Sequence, residues 1–307
     1  MSAEKKQISS PLRYPGSKKR LTGYIEEILA LNDLDNYLFV EPFAGGANVS
    51  LYLLQNNLVD SIGLIERDPL VASFWQIVFS KNEKEVNWLI EQIRTIDIDL
   101  QNWIKYKNTV PDTKKERALA CLFLNRTSFS GILAPSSGPI GGYSQSSQYK
   151  IDCRFPRAKL ITKIKTLSKL RDKVKFVWNL HWKNGLTRIK NMKISGRLNN
   201  AILFYFDPPF FHQADRLYRY FFQEKDHKDL KSSILKIKSP WILSYDYCDE
   251  VKGLYGNESL TRVELLYSAS QNGGSKSAQE VIISNIEYLP AKTKLWRSTE
   301  EWKNGKT

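Results

Sequence analysis

Short apolar segments typical of β-strands alternate with segments of helical period along most of this chain. The strand-like segments are LFVE, SIGLIERD, VKFVWNL, AILFYFD, SPWILSYD, VELLYSA and EVIISNI. Strands that alternate with helices build a mostly parallel sheet covered by helices on both faces. The sequence therefore predicts a doubly wound α/β fold, and a segment of about 70 residues after the second strand predicts an insertion on it.

One predicted strand ends in the sequence LFYFDPPFF, residues 203–211. Two prolines end a strand and fix the loop that follows, because each locks φ and lacks an amide proton. Asp207 is therefore expected at the carboxyl edge of the sheet, where open α/β sheets bind their ligands. An Asp-Pro pair by itself also fits an ordinary turn, so the rest of the chain must decide between these interpretations.

A glycine loop, EPFAGG at residues 41–46, follows the first predicted strand and opens a helix. Glycines let the backbone approach a ligand closely. Glu66 lies at the end of the next strand, where an acid can accept hydrogen bonds from the ribose hydroxyls of an adenosine cofactor. The loop lacks the strict G-x-G-x-x-G pattern and the lysine of a P-loop. Phe43 and Tyr14 favour a ligand with an aromatic or sulfonium part. The alternative is a tight turn beside a solvated glutamate.

Positive charge is concentrated in one part of the chain. Of a net charge of +14, most comes from residues 150–197, which hold fifteen Lys or Arg against two acids. Within this stretch, KLITKIKTLSKL has apolar residues at helical spacing, so its lysines form one face of an amphipathic helix. A solvated face or an anionic membrane surface would fit this pattern too. Nucleic acid is favoured, because phosphates release counterions to such a surface and no lipidation signal accompanies it.

Other features exclude several classes. No run of about 18 apolar residues predicts a membrane span, and the polar start MSAEKKQISS lacks the apolar core of a signal peptide. The three cysteines and three histidines are scattered singly, without metal-ligand spacing. They predict reduced thiols, no disulfide framework and no metal site. We expect a cytoplasmic protein.

Four motifs in order resemble a known family. RYPGSKKRL, EPFAGG, IERD and FDPPF resemble the conserved series of the Dam-type (group alpha) site-specific DNA adenine methyltransferases. LNRTSFSGI, YFFQEKDHKDL, LSYD and SQNGGSKSAQEVII extend the resemblance from about Leu12 to Asn285. It implies a Rossmann-like S-adenosylmethionine-dependent methyltransferase domain with a mostly helical target-recognition insertion carrying a hairpin. The implied divisions are a polar leader (1–10), a catalytic domain (11–75 and 155–290), the insertion (76–154) and a polar tail (291–307).

The resemblance also implies roles for individual residues. The catalytic residues are expected to be Asp207, Pro208, Pro209 and Phe210. S-adenosylmethionine is expected to contact Tyr14, Lys18, Glu41, Pro42, Phe43, Ala44, Gly45, Gly46, Glu66, His181 and Asp207. DNA is expected to contact Arg126, Phe129, Ser130, Asn272, Lys159 and Lys163. Phe210 stands where tyrosine is commoner, and His181 where many relatives carry an acid. Ala134 falls where the GATC-reading enzymes have a base-contacting arginine, so GATC is not predicted.

The chemistry of adenine methylation fits these residue types. A base inside a duplex must flip out before it can reach a buried cofactor, and an aromatic ring such as Phe210 can stack on it. Two acceptors, the Asp207 carboxylate and the Pro208 carbonyl, would hold the protons of the 6-amino group and free its nitrogen lone pair. Methyl transfer can then proceed in line, without a covalent enzyme intermediate.

Three other functions are weighed against this one. An RNA adenine methyltransferase would use the same chemistry on a different substrate. A catalytically silent DNA-binding relative would have no need of the intact Asp207-Pro208-Pro209-Phe210 run. A nicotinamide dehydrogenase would need the missing G-x-G-x-x-G. The predicted partner is double-stranded DNA, and the resemblance points to a bacterial or phage protein associated with the nucleoid. A cognate restriction endonuclease stays open, as do the recognition sequence and the oligomeric state.

Overall fold

The structure, a computed structural model, describes residues 9–14, 18–212, 214–256, 258, 260–267 and 276–295. Within them, seven strands form one sheet: β1 (Leu38–Glu41), β2 (Ser61–Glu66), β3 (Val174–Asn179), β4 (Ile202–Phe206), β5 (Trp241–Asp246), β6 (Leu260–Tyr267) and β7 (Lys276–Ser284). The helices are α1 (Thr22–Leu31), α2 (Asn48–Gln55), α3 (Pro69–Val78), α4 (Glu83–Thr95), α5 (Leu100–Asn108), α6 (Lys114–Thr127), α7 (Arg157–Ser168), α8 (Trp182–Ile194), α9 (Ala214–Leu217), α10 (Glu224–Ile234) and α11 (Asp249–Tyr255).

The sheet has the strand order β3-β2-β1-β4-β5-β7-β6. Strands β1 to β5 are parallel, and β7 pairs antiparallel with both β5 and β6. The predicted mostly parallel, doubly wound α/β sheet is confirmed. The strand order reverses between β1 and β4, and such a switch point opens a crevice at the carboxyl ends of the strands. The ends of β1, β2 and β4 therefore meet at one edge.

The central strands are buried on both faces because helices cover both sides of the sheet. Every residue of β1, β2 and β4 is buried, as expected for parallel strands between two helical layers. Alternate side chains point to opposite faces. Phe39 joins a hydrophobic cluster with α1 to α7, and Val40 joins a second cluster with α8, α10 and α11.

The segment after α3 is helical up to Thr127. Polar side chains cap the N-termini of its three helices. Asn82, Asp99 and Thr113 accept hydrogen bonds from backbone N–H groups in the first turns of α4, α5 and α6, respectively. Such caps satisfy amides that have no partner within the helix. These helices share one hydrophobic cluster with the sheet, and α7 packs against α4. The domain boundaries at 75/76 and 154/155 stay a prediction.

Within the described residues, the predicted hairpin is represented by a single antiparallel contact rather than by paired strands. In the described chain from 128 to 156, one isolated antiparallel bridge joins Ser128 to Pro139, and no strand forms. A 3₁₀ turn and further turns take the place of a ladder. Pro139 has no amide to donate, and Gly141 and Gly142 have φ values of 84° and 72°, far from the extended conformation of a strand. The segment is therefore a loop packed on α6.

No helix among the described residues is both long and apolar enough to cross a bilayer.

Candidate active site

A pocket opens at the carboxyl ends of β1, β2 and β4, where the sheet order reverses. Its walls come from the glycine loop, the end of β2, the start of α8 and the segment after β4. The lining residues are Tyr14, Lys18, Glu41, Pro42, Phe43, Ala44, Gly45, Gly46, Ala47, Asn48, Val49, Glu66, Arg67, Trp182, Tyr205, Asp207, Pro209, Tyr218, Tyr220 and Phe222. Parallel strands thus bring Glu66 and Asp207, 141 positions apart in sequence, into one pocket.

Hydrogen bonds hold the glycine loop from two sides. The Ala44 amide donates to the Ile65 carbonyl at 3.0 Å, and Trp75 Nε1 donates to the Gly45 carbonyl at 2.8 Å. Gly45 has a φ of 44°, and a Cβ there would lie 2.8 Å from the Tyr14 ring. Only glycine accommodates both the left-handed backbone and this approach. The loop is therefore rigid, and Tyr14 covers it.

The Glu66 carboxylate is held by backbone amides. Oε2 accepts a hydrogen bond from the Gly45 amide at 2.8 Å, and Oε1 accepts one from the Asp68 amide at 2.9 Å. Burial raises the pKa of Glu66 to about 7, against the lowering effect of these amides. Each carboxylate oxygen has two lone pairs, so both oxygens can still accept a hydroxyl proton from a ligand.

Glu41 lies at the end of β1, between Glu66 and Asp207 in the sheet. Its Oε1 accepts a hydrogen bond from the Ser50 amide in the first turn of α2 at 2.8 Å. Burial raises the pKa of Glu41 to about 8, and the nearby Asp207 adds to the shift. The charged form of Glu41 is therefore disfavoured near neutral pH.

Aromatic rings form one wall of the pocket. The Phe43 ring lies 5.6 Å from that of Phe222, edge to face, and 6.3 Å from that of Trp182. Arg67, which also lines the pocket, stacks its guanidinium 4.9 Å from the Tyr220 ring. This wall can hold a flat heterocycle, because aromatic faces stack favourably at such distances.

Asp207 lies at the other end of the pocket and is held by side chains. Lys18 Nζ lies 2.8 Å from Oδ1, and Ser244 Oγ donates to the same oxygen at 2.9 Å. Among the described residues, no hydrogen bond reaches Oδ2. Burial raises the pKa of Asp207, and Lys18 opposes that rise.

Lys18 is itself positioned by a second acid. Its Nζ lies 3.4 Å from Glu280 Oε1 on β7, and both side chains are buried, with exposed fractions of 4% each. Tyr205 Oη lies 2.9 Å from Ser244 Oγ, which extends the hydrogen-bonded group beneath Asp207. A buried lysine needs such partners, because an unpaired charge in the interior is costly.

The loop after Asp207 is anchored on both sides. Pro209 lines the pocket, whereas Pro208 and Phe210 do not. The Phe210 ring has Lys18 Nζ at 5.2 Å from its centroid and the Tyr218 ring at 6.1 Å. The Phe211 amide donates to Asp246 Oδ1 at 3.2 Å. The ring of Phe210 is thus adjacent to Asp207 and outside the pocket wall.

His181 does not line the pocket, although it was predicted to contact the cofactor. It precedes α8, and its Nδ1 accepts a hydrogen bond from the Lys183 amide at 3.3 Å. Burial lowers the pKa of His181, and Arg67 and Lys183 add to the shift. The neighbouring Trp182, the first residue of α8, lines the pocket instead.

The predicted DNA-contacting residues lie on α6, α7 and the loop after α6. Phe129 is 58% exposed, and Ser130 and Lys159 are exposed. Arg126 is half-buried, and its Nε donates to the Pro11 carbonyl at 2.7 Å. Its Nη2 donates to the same oxygen. Lys163 Nζ donates to Ser9 Oγ at 2.6 Å. Asn272 lies outside the described residues.

Six cations form what we call the basic cluster: Arg13, Lys19, Arg126, Arg154, Lys159 and Lys163. Burial lowers the pKa of Arg126 to about 10, and the positive charges of Arg13 and Arg154 add to the shift. Repulsion between these cations indicates that positive charge is concentrated in this part of the surface. The basic cluster adjoins the pocket through Ser10: Lys163 Nζ donates to the Ser10 carbonyl at 3.5 Å, and the Ser10 amide donates to Oδ1 of the pocket-lining Asn48 at 3.3 Å.

Sequence reasoning missed several residues of the pocket and of the group beneath Asp207. Ser244 lies on β5, and the strand-end rule that selected Asp207 would have indicated the end of that strand. Glu280 lies in β7, which returns antiparallel from the far side of the sheet, and no local pattern predicts its contact with Lys18. Trp182, Tyr218 and Phe222 line the pocket without any motif spacing.

With this geometry in place, comparison with known proteins becomes informative. A family model of the D12 class N6 adenine-specific DNA methyltransferases matches residues 14–269. The chain belongs to this family. The family assignment confirms the predicted resemblance and makes the chain a transferase of the adenine-specific DNA methyltransferase class. No curated protein matches the chain significantly. The matched range includes the glycine loop, Glu66 and Asp207, and all the residues that line the pocket lie within it.

Proposed function

We propose that this D12 class methyltransferase transfers the methyl group of S-adenosylmethionine to the 6-amino group of an adenine flipped out of duplex DNA. One observation carries the proposal: a single pocket is lined by the glycine loop, by Glu66 and by Asp207. A group that binds adenosine hydroxyls and a group that accepts amine protons thus share one cavity. The two reactants can meet there without crossing solvent.

The cofactor is placed along the glycine loop. Its ribose hydroxyls would donate to the two Glu66 oxygens, which already accept one backbone amide each. Its adenine would lie against Phe43, Trp182 and Phe222. Its methionine part would follow Gly45 and Gly46 beneath Tyr14, toward Asp207. S-adenosylmethionine supplies an electrophilic methyl group on a sulfonium when it is bound.

The target amine is placed at Asp207. Lys18 and Ser244 occupy Oδ1 and leave Oδ2 to accept one proton of the amino group. The Pro208 carbonyl would accept the other. Holding both protons favours the tetrahedral nitrogen whose lone pair attacks the methyl carbon, and it stabilises the positive charge that develops there. On transfer, the carbon–sulfur bond would break as the carbon–nitrogen bond forms, and Asp207 would accept the extra proton from nitrogen and pass it to solvent.

Lys18 has a positioning role in this account. Its ammonium opposes the rise in the pKa of Asp207 that burial causes. An acceptor must be ionised to take the amine proton, so Lys18 maintains the charge state that the reaction requires. Glu280 in turn holds Lys18 in place.

DNA is placed over the pocket mouth and the basic cluster. Phosphates would contact exposed cations such as Lys159, since phosphate contacts supply most of the non-specific affinity. The half-buried Arg126 and Lys163 would act indirectly, because both hold the segment that leads to Tyr14. Phe129 presents an exposed ring, and Phe210 offers a ring next to Asp207 for stacking on the flipped base.

Two parts of the proposal rest on the family rather than on the pocket. We place the enzyme in the cytoplasm of a bacterium or in a phage-infected cell, where its DNA lies. A cognate restriction endonuclease would make the methylation protective. Mapping methylated adenines in the source genome and assaying lysates for cleavage of the same unmethylated motif would test both.

The direct test is methyl transfer from labelled S-adenosylmethionine to unmethylated DNA, with a matched RNA duplex beside it and the Asp207→Asn variant as the blank. The proposal predicts label on adenine N6 of DNA within one short sequence motif. Label on RNA alone would move the assignment to an RNA adenine methyltransferase. Cofactor binding without transfer to either nucleic acid would indicate a catalytically silent DNA-binding relative and would overturn the proposal.

A further inference from the structure

Three side chains that could ligate a metal lie together beside the catalytic loop. His212, Cys248 and Glu250 each offer one ligand atom, and these atoms all lie within 4.8 Å of one another. His212 Nε2 lies 3.1 Å from Glu250 Oε2. Residue spacing does not indicate this group, because His212 is 36 positions from Cys248. The fold brings them together where the loop after β4 meets the start of α11.

The backbone that carries these ligands is held in place. On one side, the Phe211 amide donates to Asp246 Oδ1 at 3.2 Å, and the Phe211 ring stacks on His227 at 4.2 Å. On the other side, Cys248 and Glu250 are two positions apart at the start of α11. A metal site on anchored segments loses less conformational freedom on binding than one on free loops.

The donor set selects the kind of ion. Imidazole nitrogen, thiolate sulfur and carboxylate oxygen together suit zinc or cobalt rather than magnesium or calcium, which prefer oxygen ligands. Three protein ligands with one open position is a known zinc arrangement. A thiolate and a carboxylate would also balance the 2+ charge. Asp249 pairs with Lys252 and is left out of the set.

We propose that His212, Cys248 and Glu250 bind one zinc ion and thereby tie the loop that carries Asp207 and Phe210 to α11. The fourth position is left to water. The ligands approach the ion by closing the present separations, since each zinc–ligand bond is about 2.0–2.3 Å long. His212 is five positions after Asp207, so the ion restrains the loop on which the flipped base is proposed to stack.

The proposal does not depend on the proposed function, because ion binding is measured without methyl transfer. The full chain is stripped with a chelator and titrated with zinc chloride against a chromophoric competitor. Cobalt chloride is titrated in parallel, since a cobalt–thiolate bond gives a charge-transfer absorption band. The variants are Cys248→Ser and His212→Ala, and Cys153→Ser is the matched control because Cys153 is a free exposed thiol in the loop before α7.

We expect one zinc per chain for the wild type and for Cys153→Ser. Cys248→Ser and His212→Ala are expected to bind at least about tenfold more weakly, as loss of a ligand removes a major part of the site. The cobalt band should disappear in Cys248→Ser alone among the cysteine variants. Zinc should raise the melting temperature of the wild type and leave that of Cys248→Ser unchanged, since an ion that binds only the folded state stabilises it.

Two results would overturn the inference. One is binding that Cys248→Ser and Cys153→Ser weaken equally, or that neither weakens, because the ion would then be held elsewhere. The other is the absence of stoichiometric binding at micromolar zinc. Circular dichroism of each variant separates loss of the site from loss of the fold.

Discussion

Two carboxylates at the carboxyl edge of one sheet, the buried Glu66 and the partly buried Asp207, are held in opposite ways. Glu66 accepts backbone amides on both oxygens, from Gly45 and Asp68. Among the described residues, Asp207 accepts hydrogen bonds from two side chains, Lys18 and Ser244, both on Oδ1. Backbone amides of a rigid loop fix the position of the Glu66 carboxylate, which suits a part of the ligand, such as the ribose, that the reaction leaves unchanged. An open oxygen beside a cation suits a group whose protons move.

The comparison extends to charge. Burial raises the pKa of both carboxylates. For Glu66 the opposing effects come from neutral amides, whereas for Asp207 the largest opposing effect is the Lys18 ammonium. A full positive charge favours the ionised form more strongly than amide dipoles do. The buried Lys18 ammonium thus lies at Asp207, the carboxylate that we assign to the reacting nitrogen.

The variant Asp207→Asn tests most strongly whether Asp207, unlike Glu66, acts in the chemical step. We expect the single-turnover rate of methyl transfer to fall by about 10³-fold, the size typical for loss of one group that stabilises developing charge. The dissociation constant of S-adenosylmethionine should change little. Asp215→Asn, an exposed acid on α9, is the matched control and should leave both quantities unchanged. A rate loss below tenfold would show that Asp207 does not act in the methyl-transfer step.

Lys18→Met tests whether the cation keeps Asp207 ionised. The rate at neutral pH is expected to fall by about tenfold. The acid limb of the pH–rate profile should move to higher pH, because the pKa of Asp207 rises further without Lys18 and the rate recovers only above it. Lys19→Met, at an exposed neighbour in the basic cluster, should lower DNA affinity but leave the acid limb of the profile at its wild-type pH.

Loss of Lys18 also leaves Glu280 without this partner, so a second variant is needed. The double variant Lys18→Met, Glu280→Gln should fold at least as well as Lys18→Met and show the same shifted profile. An unshifted acid limb in both variants would show that Lys18 has no electrostatic role.

Glu66→Gln should act on binding instead. We expect the dissociation constant of S-adenosylmethionine to rise by about tenfold, as for loss of one charge-assisted hydrogen bond, with the saturated single-turnover rate nearly unchanged. Wild-type affinity should tighten as pH rises through about 7, because Glu66 ionises there and an ionised carboxylate is the better acceptor. The variant should lack this pH dependence. Isothermal titration calorimetry of the wild type and of Glu66→Gln at pH 6 and pH 8 measures these dissociation constants.

The smallest effect is expected from Glu41→Gln, which concerns stability. The pKa of Glu41 is about 8 in the folded chain and lies near its ordinary value in the unfolded chain. Its contribution to stability is therefore fully present below the unfolded pKa and is lost as pH rises through about 8. The melting temperature of Glu41→Gln relative to the wild type should increase between pH 5 and pH 9 by a few degrees. Exposed Glu27→Gln should show no such trend.

Local patterns were enough to predict the sheet and the two carboxylates. The strands around Leu38, Ser61 and Ile202 were predicted from apolar runs that end in acids or glycine, and parallel strands must present those ends at one edge. Gly45 was predicted in a close-approach loop, and its φ of 44° together with the 2.8 Å approach of Tyr14 gives the reason.

Long-range contacts limited the prediction elsewhere. Glu280 reaches Lys18 only because β7 inserts antiparallel between β5 and β6, and antiparallel return of a terminal strand leaves no mark on the spacing of its residues. The predicted hairpin extends to one antiparallel bridge among the described residues, because the positive φ values of Gly141 and Gly142 turn the chain away from an extended conformation. His212 and Cys248 looked isolated because their contact, like that of Glu280 with Lys18, joins positions far apart in the sequence.

The measurement that tests the central claim most directly is a structure of the enzyme with adenine-containing DNA and a cofactor analogue that cannot transfer its methyl group. The account predicts the cofactor ribose on Glu66 and the adenine 6-amino nitrogen within hydrogen-bond distance of Asp207 Oδ2, with Lys18 still on Oδ1. A ribose bound at Asp207, or an amino group that contacts neither Oδ2 nor the Pro208 carbonyl, would contradict it.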